Sequence, residues 1–339
     1  MFEFKKYPSI DNSYRSKTIN QIIRQGFDKE EWIVLLKVHG ANFSVWTDGK
    51  VIQPAKRTSF ISEDENFNSW DKVILPLKDN FIKIFEYMKI HGMVKDQAVF
   101  CGELAGGNYN HPDTKKYPQA SKIQKGVDYA PFNFFFMFDI VCDDKFISHD
   151  DVINLGDYFG IIAAQGLLRG TFEECMQHSN EFPDPLHRLF GLPEVDDNVC
   201  EGIIIKPVVP RFFGNGSRVI LKNKNDKFKE NNGEKKNKVP REKHKWSVSG
   251  AKLYTQLSTY VSENRLRNVL SHGLNIGQKD FGVLMKEMNI DVWDDYLKDC
   301  SDGYECLELD EQKMIKKSLG SQVASFIRPH FQNIVDKEF

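Results

Sequence analysis

Lys37 is the side chain of this protein best placed for covalent chemistry. It follows the apolar run Trp32–Leu36, which predicts a buried strand, and it precedes a polar turn that contains Gly40 and Asn42. A lysine can act as a nucleophile when its surroundings favour the neutral amine. The Lys-x-His-Gly pattern is short and recurs by chance, so its meaning depends on the other residues of the chain.

Charged and aromatic side chains recur at the ends and edges of later predicted strands. Lys222 and Lys224 lie two positions apart in an extended segment, so their side chains point to the same face. Taken singly, each of these residues has a plain structural explanation, such as a strand-end acid, a core phenylalanine or a surface ion pair. Taken in order, they form a set that could handle phosphate: Arg57, Glu103, Phe138, Glu201, Lys206, Lys222 and Lys224.

The sequence lacks the usual signatures of several other kinds of site. Neither G-x-x-x-x-G-K-[ST] nor a G-x-G-x-x-G after a predicted strand is present, so other residues would have to hold a nucleotide. The six cysteines are scattered and include no C-x-x-C pair. That spacing argues against a zinc site and against a disulfide framework.

The overall composition is that of a soluble protein large enough for two domains. The chain has 339 residues, of which 40% are hydrophobic and 28% charged, with a net charge of -2. No apolar run is long enough to cross a bilayer, and the first residues resemble neither a signal peptide nor a transit peptide. We therefore expect a cytoplasmic protein with no membrane contact, which includes a virus- or phage-encoded protein in the cytosol of its host.

One segment departs from this even charge balance. Between Lys222 and Lys245 there are ten Lys or Arg residues against four Asp or Glu. Such a run is either a solvated linker or a surface that faces the phosphates of a nucleic acid. The second interpretation gains weight only if neighbouring residues also handle phosphate.

The predicted elements divide the chain into a mixed part and a helical part. Helices are predicted over 17–25 and 73–91, and strands over 32–36, 42–46, 50–53, 98–104, 133–141, 202–209 and 217–222. After residue 246 the period changes, and Phe281, Leu284, Met285 and Met288 fall on one helical face. We predict an α+β domain of mainly antiparallel sheets with flanking helices over 1–230, a basic linker over 231–246 and a small all-helical domain over 247–339.

The ordered set of charged and aromatic residues resembles the motifs of the covalent nucleotidyltransferases, which include RNA ligases, DNA ligases and mRNA capping enzymes. It is most similar to the RNA ligase 2 family, where a histidine two residues after the nucleophile replaces the aspartate usual in DNA ligases. The similar segments are 37–43, 55–58, 102–104, 138–140, 201–207 and 221–225, with further similarity at 4–7, 264–269 and 277–282. Two features differ: Leu36 stands where the family commonly has Glu, and the loop 106–126 is longer than in the phage member of the family and looks more like that of its RNA-editing ligases.

The resemblance implies an ATP-dependent RNA ligase that works through lysyl-AMP and RNA-adenylate. Lys37 would be the nucleophile, and Glu201 would bind Mg²⁺, or Mn²⁺ in its place. The resemblance further implies that Glu103 binds the ribose hydroxyls, that Phe138 stacks on adenine and that Arg57 contacts phosphate. The implied nucleotide-binding set is Leu36, Lys37, Val38, Asn42, Arg57, Glu103, Phe138, Lys206, Lys222 and Lys224. RNA, as a duplex or a nicked duplex, is the expected partner of a monomer.

Two alternatives stay open. A DNA ligase or a capping enzyme normally carries a C-terminal OB-fold, and the helical period after residue 246 counts against both. A catalytically inactive protein of the same fold that binds nucleotide or RNA is the alternative from another functional class.

Overall fold

A computed structural model describes residues 2–62, 65–229, 247–299 and 303–339 of the protein. The chain forms two compact units, Met1–Lys227 and Phe228–Phe339. The predicted linker over 231–246 lies entirely outside the described residues, and its character stays a prediction.

The first unit contains two five-stranded sheets with helices, as the predicted α+β class requires. Its strands are β1 (Asp11–Asn12), β2 (Trp32–Leu36), β3 (Ala41–Thr47), β4 (Ile52–Lys56), β5 (Ala98–Asn108), β6 (Ala130–Cys142), β7 (Lys145–Phe146), β8 (Gly166–Gly170), β9 (Gly202–Pro207) and β10 (Leu221–Lys224). Its α-helices are α1 (Ser16–Arg24), α2 (Trp70–Ile74), α3 (Lys78–Ile90), α4 (His149–Phe159), α5 (Phe172–Gln177) and α6 (Leu186–Leu189).

The strand pairing confirms the mainly antiparallel prediction. One sheet has the order β1-β10-β9-β2-β8 and the other the order β4-β3-β5-β6-β7. Every described pair is antiparallel except β1 with β10. In the first sheet, β2 pairs with β9 on one side and with β8 on the other. This central position puts the end of β2 next to the start of β9, although the two strands are far apart in sequence.

Local chemistry explains two of the differences between predicted and observed boundaries, while the strand predicted over 217–222 is observed at Leu221–Lys224. The strand predicted to begin at residue 50 begins at Ile52, because the Asp48 side chain accepts hydrogen bonds from the backbone N–H groups of Lys50 and Val51 and holds them in a turn. The helix predicted over 73–91 is interrupted by a 3₁₀ turn at Leu75–Leu77. Pro76 in that turn lacks the N–H that a continuous helix would need.

Each sheet has its own buried core. Phe43, Phe81, Phe100 and Phe135 lie in the core between the second sheet and its helices. All five residues of β2 are buried, which is why this strand reads as an unbroken apolar run and not as an alternating one. The strand that carries the candidate nucleophile is therefore fixed by packing on both faces.

The second unit is helical over its described residues. It contains α7 (Val248–Ser258), α8 (Glu263–Ser271), α9 (Phe281–Asp299), α10 (Leu309–Ile327) and α11 (Phe331–Val335). The predicted apolar face of α9 is the observed one, since Leu284 and Met288 lie in the core of this unit and Phe281 and Met285 pack against it. Buried Arg265 pairs with Asp291 and Asp295 of α9. None of the described helices in either unit has the length and apolarity needed to span a membrane.

Candidate active site

The backbone around Lys37 is locked to the start of β9. The Lys37 N–H donates to the Gly202 carbonyl at 3.0 Å. Gly202 has a φ of +146°, and a Cβ at this position would lie 2.2 Å from the Asn223 carbonyl oxygen. Only glycine allows this approach of β9 to β10. The three strand ends that carry Lys37, Glu201 and Lys224 consequently converge.

Glu201 is the centre of the charged cluster at this convergence. Its carboxylate is 2% exposed, and its Oε2 lies 2.7 Å from Lys37 Nζ and 3.7 Å from His39 Nδ1. The other oxygen, Oε1, lies 3.2 Å from Lys224 Nζ. Burial alone would raise the pKa of Glu201, but the charges of Lys37, Lys224 and His39 outweigh it and hold the pKa at about 2. Glu201 is thus ionised at neutral pH and bridges two lysines.

A second acid, Glu103, faces the same cluster from the other sheet. It lies opposite Asn42 in the β3–β5 register and accepts a hydrogen bond from that side chain. Burial and the negative charge of Glu201 raise the pKa of Glu103 to about 7, against the opposing effects of Lys37, Arg57 and Asn42. The neutral acid is therefore well populated near pH 7, and it can donate as well as accept a hydrogen bond.

The raised pKa of Glu103 predicts a pH-dependent stability. Between pH 4.5, the ordinary pKa of the group, and about pH 7, Glu103 binds more protons in the folded protein than in the unfolded chain. The free energy of unfolding therefore falls as pH rises through this window. We expect the wild type to lose about 1–3 kcal/mol of unfolding free energy over this window, and Glu103→Gln to lose none of it. Denaturant unfolding of the wild type and of Glu103→Gln at pH 5, 6, 7 and 8 measures the difference. Glu86→Gln, at an exposed position of α3, should keep the wild-type decline. Parallel curves for wild type and Glu103→Gln would contradict the prediction.

A second charged network, which the sequence did not predict, lies next to Phe138 and is centred on Asp139. Asp139 is buried and contacts Arg218 at 2.6 Å and Lys206 at 2.8 Å, and Tyr7 donates to it at 2.5 Å. Lys206 also donates to the Phe138 carbonyl at 3.1 Å. Tyr7 packs edge-on against the Phe138 ring, with centroids 5.2 Å apart. The two positive charges outweigh the effect of burial, and the pKa of Asp139 lies below its ordinary value.

The predicted residues thus fall into three groups. Lys37, Glu201, Lys224, Asn42, Glu103 and Arg57 interact with one another, while Lys206 and Phe138 belong to the Asp139 network. Leu36 and Val38 flank the nucleophile with buried side chains, and Lys222 is half-buried two residues before Lys224. The nucleotide contacts assigned to all these residues remain predictions. The sequence did not indicate that Arg218 and Tyr7 contact Asp139, because neither residue lies near Asp139 in the chain or in a shared motif with it.

A cavity of about 220 Å³ adjoins the Asn42 side of this site. Asn42, Ser44 and Arg57 line it from β3 and the turn after β4, and Tyr7 lines it from the N-terminal segment. Glu201 is the predicted ligand of Mg²⁺, and among the described residues no group of three His, Cys, Asp or Glu side chains could hold a metal alone. A single carboxylate fits a hard ion that is bound mainly by phosphate oxygens and water.

Comparison with known proteins gives matches along most of the chain. A family model described as RNA ligase matches residues 30–224, and one described as T4 RNA ligase 2 C-terminal matches residues 224–325. The mitochondrial RNA-editing ligase 1 of Trypanosoma brucei brucei is 29% identical over 238 residues, which cover 61% of this chain and 50% of that protein. The mitochondrial RNA-editing ligase 2 is 28% identical over 229 residues, or 60% of this chain and 55% of that protein.

The chain thus spans about half the length of the curated relatives it matches. Among solved structures, a variant of the Naegleria gruberi RNA ligase with ATP and Mn is similar, with a TM-score of 0.44 and 13% identity. That similarity covers 66% of this chain and 56% of the other.

Proposed function

The chain belongs to the RNA ligase family, and from this premise we propose that it is an ATP-dependent enzyme that joins the 3′-hydroxyl and 5′-phosphate ends of RNA, at nicks in duplexes. The observation that carries the proposal is the cluster on Glu201. It combines a strand-end amine, a second lysine and an ionised carboxylate in a site that also contains Glu103 and Arg57. A lysine nucleophile and neighbouring cations that neutralise phosphate charge suit nucleotidyl transfer through a lysine.

In the first step, Lys37 Nζ attacks the α-phosphorus of ATP. The neutral amine forms the N–P bond, the P–O bond to pyrophosphate breaks, and the proton that the nitrogen loses passes to solvent. If Lys37 leaves its contact with Glu201 to attack, Lys224 at 3.2 Å would keep the buried carboxylate paired. Lys222 and Lys224 would neutralise charge on the phosphates as it develops.

In the second step, an oxygen of the RNA 5′-phosphate attacks the phosphorus of lysyl-AMP, and the N–P bond breaks to give RNA-adenylate. In the third step, a 3′-hydroxyl attacks the 5′-phosphate, loses its proton and displaces AMP. Asn42 and Arg57 are proposed to contact the phosphates, Glu103 the ribose and Phe138 the adenine. Mg²⁺ held by Glu201 and phosphate oxygens would supply further neutralisation of negative charge.

RNA is proposed to bind through phosphate contacts that do not read sequence. The segment from Lys222 to Lys245 has a clear basic excess, ten residues to four. The helical domain from residue 247 onward carries eleven Lys or Arg and fourteen Asp or Glu. The electrostatic case for RNA binding therefore rests on the basic segment more than on the helical domain.

Sealing of nicked duplexes tests the proposed function. With ATP and Mg²⁺, we expect the protein to seal a nick whose 3′-hydroxyl strand is RNA at least about tenfold faster than a nick whose 3′-hydroxyl strand is DNA. DNA lacks the 2′-hydroxyl, and a site that binds a hydroxyl discriminates strongly against its absence. Gel electrophoresis of end-labelled strands measures both rates. Equal rates would contradict RNA specificity. Failure of the wild type to form a covalent adduct with ATP labelled at the α-phosphate would contradict ligation and favour an inactive binding protein.

A further inference from the structure

Tyr129 makes a buried contact with the turn that follows Lys37. The ring is 2% exposed, and its hydroxyl accepts a hydrogen bond of 2.7 Å from the backbone N–H of His39. Tyr129 directly precedes β6 and is the last residue of the loop 109–129 that follows β5, which contains most of the long loop predicted over 106–126. No residue of this loop has a role in the chemistry described so far, yet one of its side chains holds the backbone two positions from the nucleophile.

The same loop reaches the next peptide of the turn and is itself anchored near Glu201. Gln124 donates to the Gly40 carbonyl at 3.4 Å. The residue before Tyr129 is clamped by the Asn198 amide, which accepts from the Asp128 N–H and donates to the Asp128 carbonyl, both at 2.8 Å. Since Asn198 lies three positions before Glu201, the clamp connects Tyr129 to the segment that carries the central carboxylate.

The opposite side of the turn has no spare room. A Cβ on Gly40 would lie 2.4 Å from the Leu104 carbonyl oxygen, so the turn is in close contact with β5 beside Glu103. The turn is therefore held between β5 on one side and the loop on the other. A change in the hydrogen bond to His39 would let the backbone next to Lys37 move relative to Glu103 and Glu201.

We infer that Tyr129 is a positioning residue, through which the long loop sets the geometry of the nucleophile turn for attack by Lys37. This inference rests on the proposed function. Removing the hydroxyl takes away the acceptor that Tyr129 provides to the His39 N–H, and we expect the turn to shift as a result. Attack by a positioned nucleophile is sensitive to shifts of less than an ångström, so formation of lysyl-AMP should suffer most.

Tyr129→Phe separates this role from a general effect on folding. We expect single-turnover formation of lysyl-AMP to slow about tenfold. Sealing of a nick whose 5′ end is already adenylylated does not need attack by Lys37 and should stay within about twofold of wild type. Tyr117→Phe is the matched control, because Tyr117 lies in the same loop with 47% exposure, and it should behave as wild type in both reactions.

The outcomes are distinct. A wild-type rate of lysyl-AMP formation in Tyr129→Phe overturns the inference, and so does an equal loss in both reactions together with a lowered melting temperature. If Tyr129→Phe does not fold, Asn198→Ala serves in its place, because it removes the hydrogen bonds to Asp128 but keeps the Tyr129 hydroxyl. It should slow the formation of lysyl-AMP and leave the sealing of adenylylated ends unchanged. Equal slowing of both reactions would overturn the inference. A wild type that forms no lysyl-AMP overturns the proposed function itself, and with it the role of Tyr129.

Discussion

Lys37→Ala is expected to form no covalent adduct when it is incubated with Mg²⁺ and ATP labelled at the α-phosphate, whereas the wild type is labelled. The reason is that Lys37, which follows β2, would be the nucleophile that becomes covalently bonded to AMP in the first step. Denaturing electrophoresis followed by detection of the label measures the result. Lys50→Ala, which removes an exposed lysine from the same unit, should be labelled as strongly as the wild type.

The variant should nevertheless remain folded. Glu201 keeps Lys224 at 3.2 Å after Lys37 is removed, so the buried carboxylate is not left without a positive partner. Lys37→Ala should therefore still seal a nick whose 5′ end is already adenylylated, although it cannot begin from ATP. Label on Lys37→Ala would assign the nucleophile to another residue and refute the mechanism proposed for this site.

Asp139→Asn is expected to destabilise the first unit by about 3–5 kcal/mol, the usual cost of removing one partner from a buried ion pair. The change leaves Lys206 and Arg218, which are 2% and 4% exposed, without their shared negative charge. It also weakens the acceptor for Tyr7. Denaturant unfolding at pH 7 measures the change in the free energy of unfolding.

The matched control is Asp144→Asn, which removes an exposed partner of Lys5. Because water screens such a pair, this variant should unfold at nearly the same denaturant concentration as the wild type. An Asp139→Asn protein as stable as the wild type would contradict the prediction. Since Lys206 also holds the Phe138 carbonyl, we further expect the variant to have a raised KM for ATP.

The raised pKa of Glu103 and the lowered pKa of Glu201 show how one site keeps two acids in different states. Glu201 has two lysines within 3.2 Å, while Glu103 has the hydrogen bond from Asn42 and the repulsion of Glu201. Burial raises the pKa of both acids, but at Glu201 the neighbouring lysines outweigh it, whereas at Glu103 burial and the charge of Glu201 outweigh the effects of Lys37 and Arg57. In the proposed reaction, an ionised Glu201 suits a metal ion, and a Glu103 that is partly protonated suits hydrogen bonding to ribose hydroxyls.

The sequence alone was sufficient for features that depend on local pattern. The unbroken apolar run at Trp32–Leu36 predicted β2 with its observed bounds, because burial on both faces requires apolar residues at every position. The helical period around Leu284 and Met288 predicted α9 for the same reason, since one face of that helix packs in a core. The order of charged motifs also pointed to the family, which the two family models confirm.

Only the tertiary structure decided which side chains meet. Lys37 and Glu201 are 164 positions apart, and the pairing of β2 with β9 brings their atoms to 2.7 Å. Tyr7, Asp139 and Arg218 come from three distant segments and form a buried network that no local pattern encodes. Lys206, predicted with the nucleotide-binding set, has its ammonium in that network. Local sequence sets the burial and period of each element, whereas the register between distant strands depends on how all the elements pack, and that register places the charges on which the proposed chemistry depends.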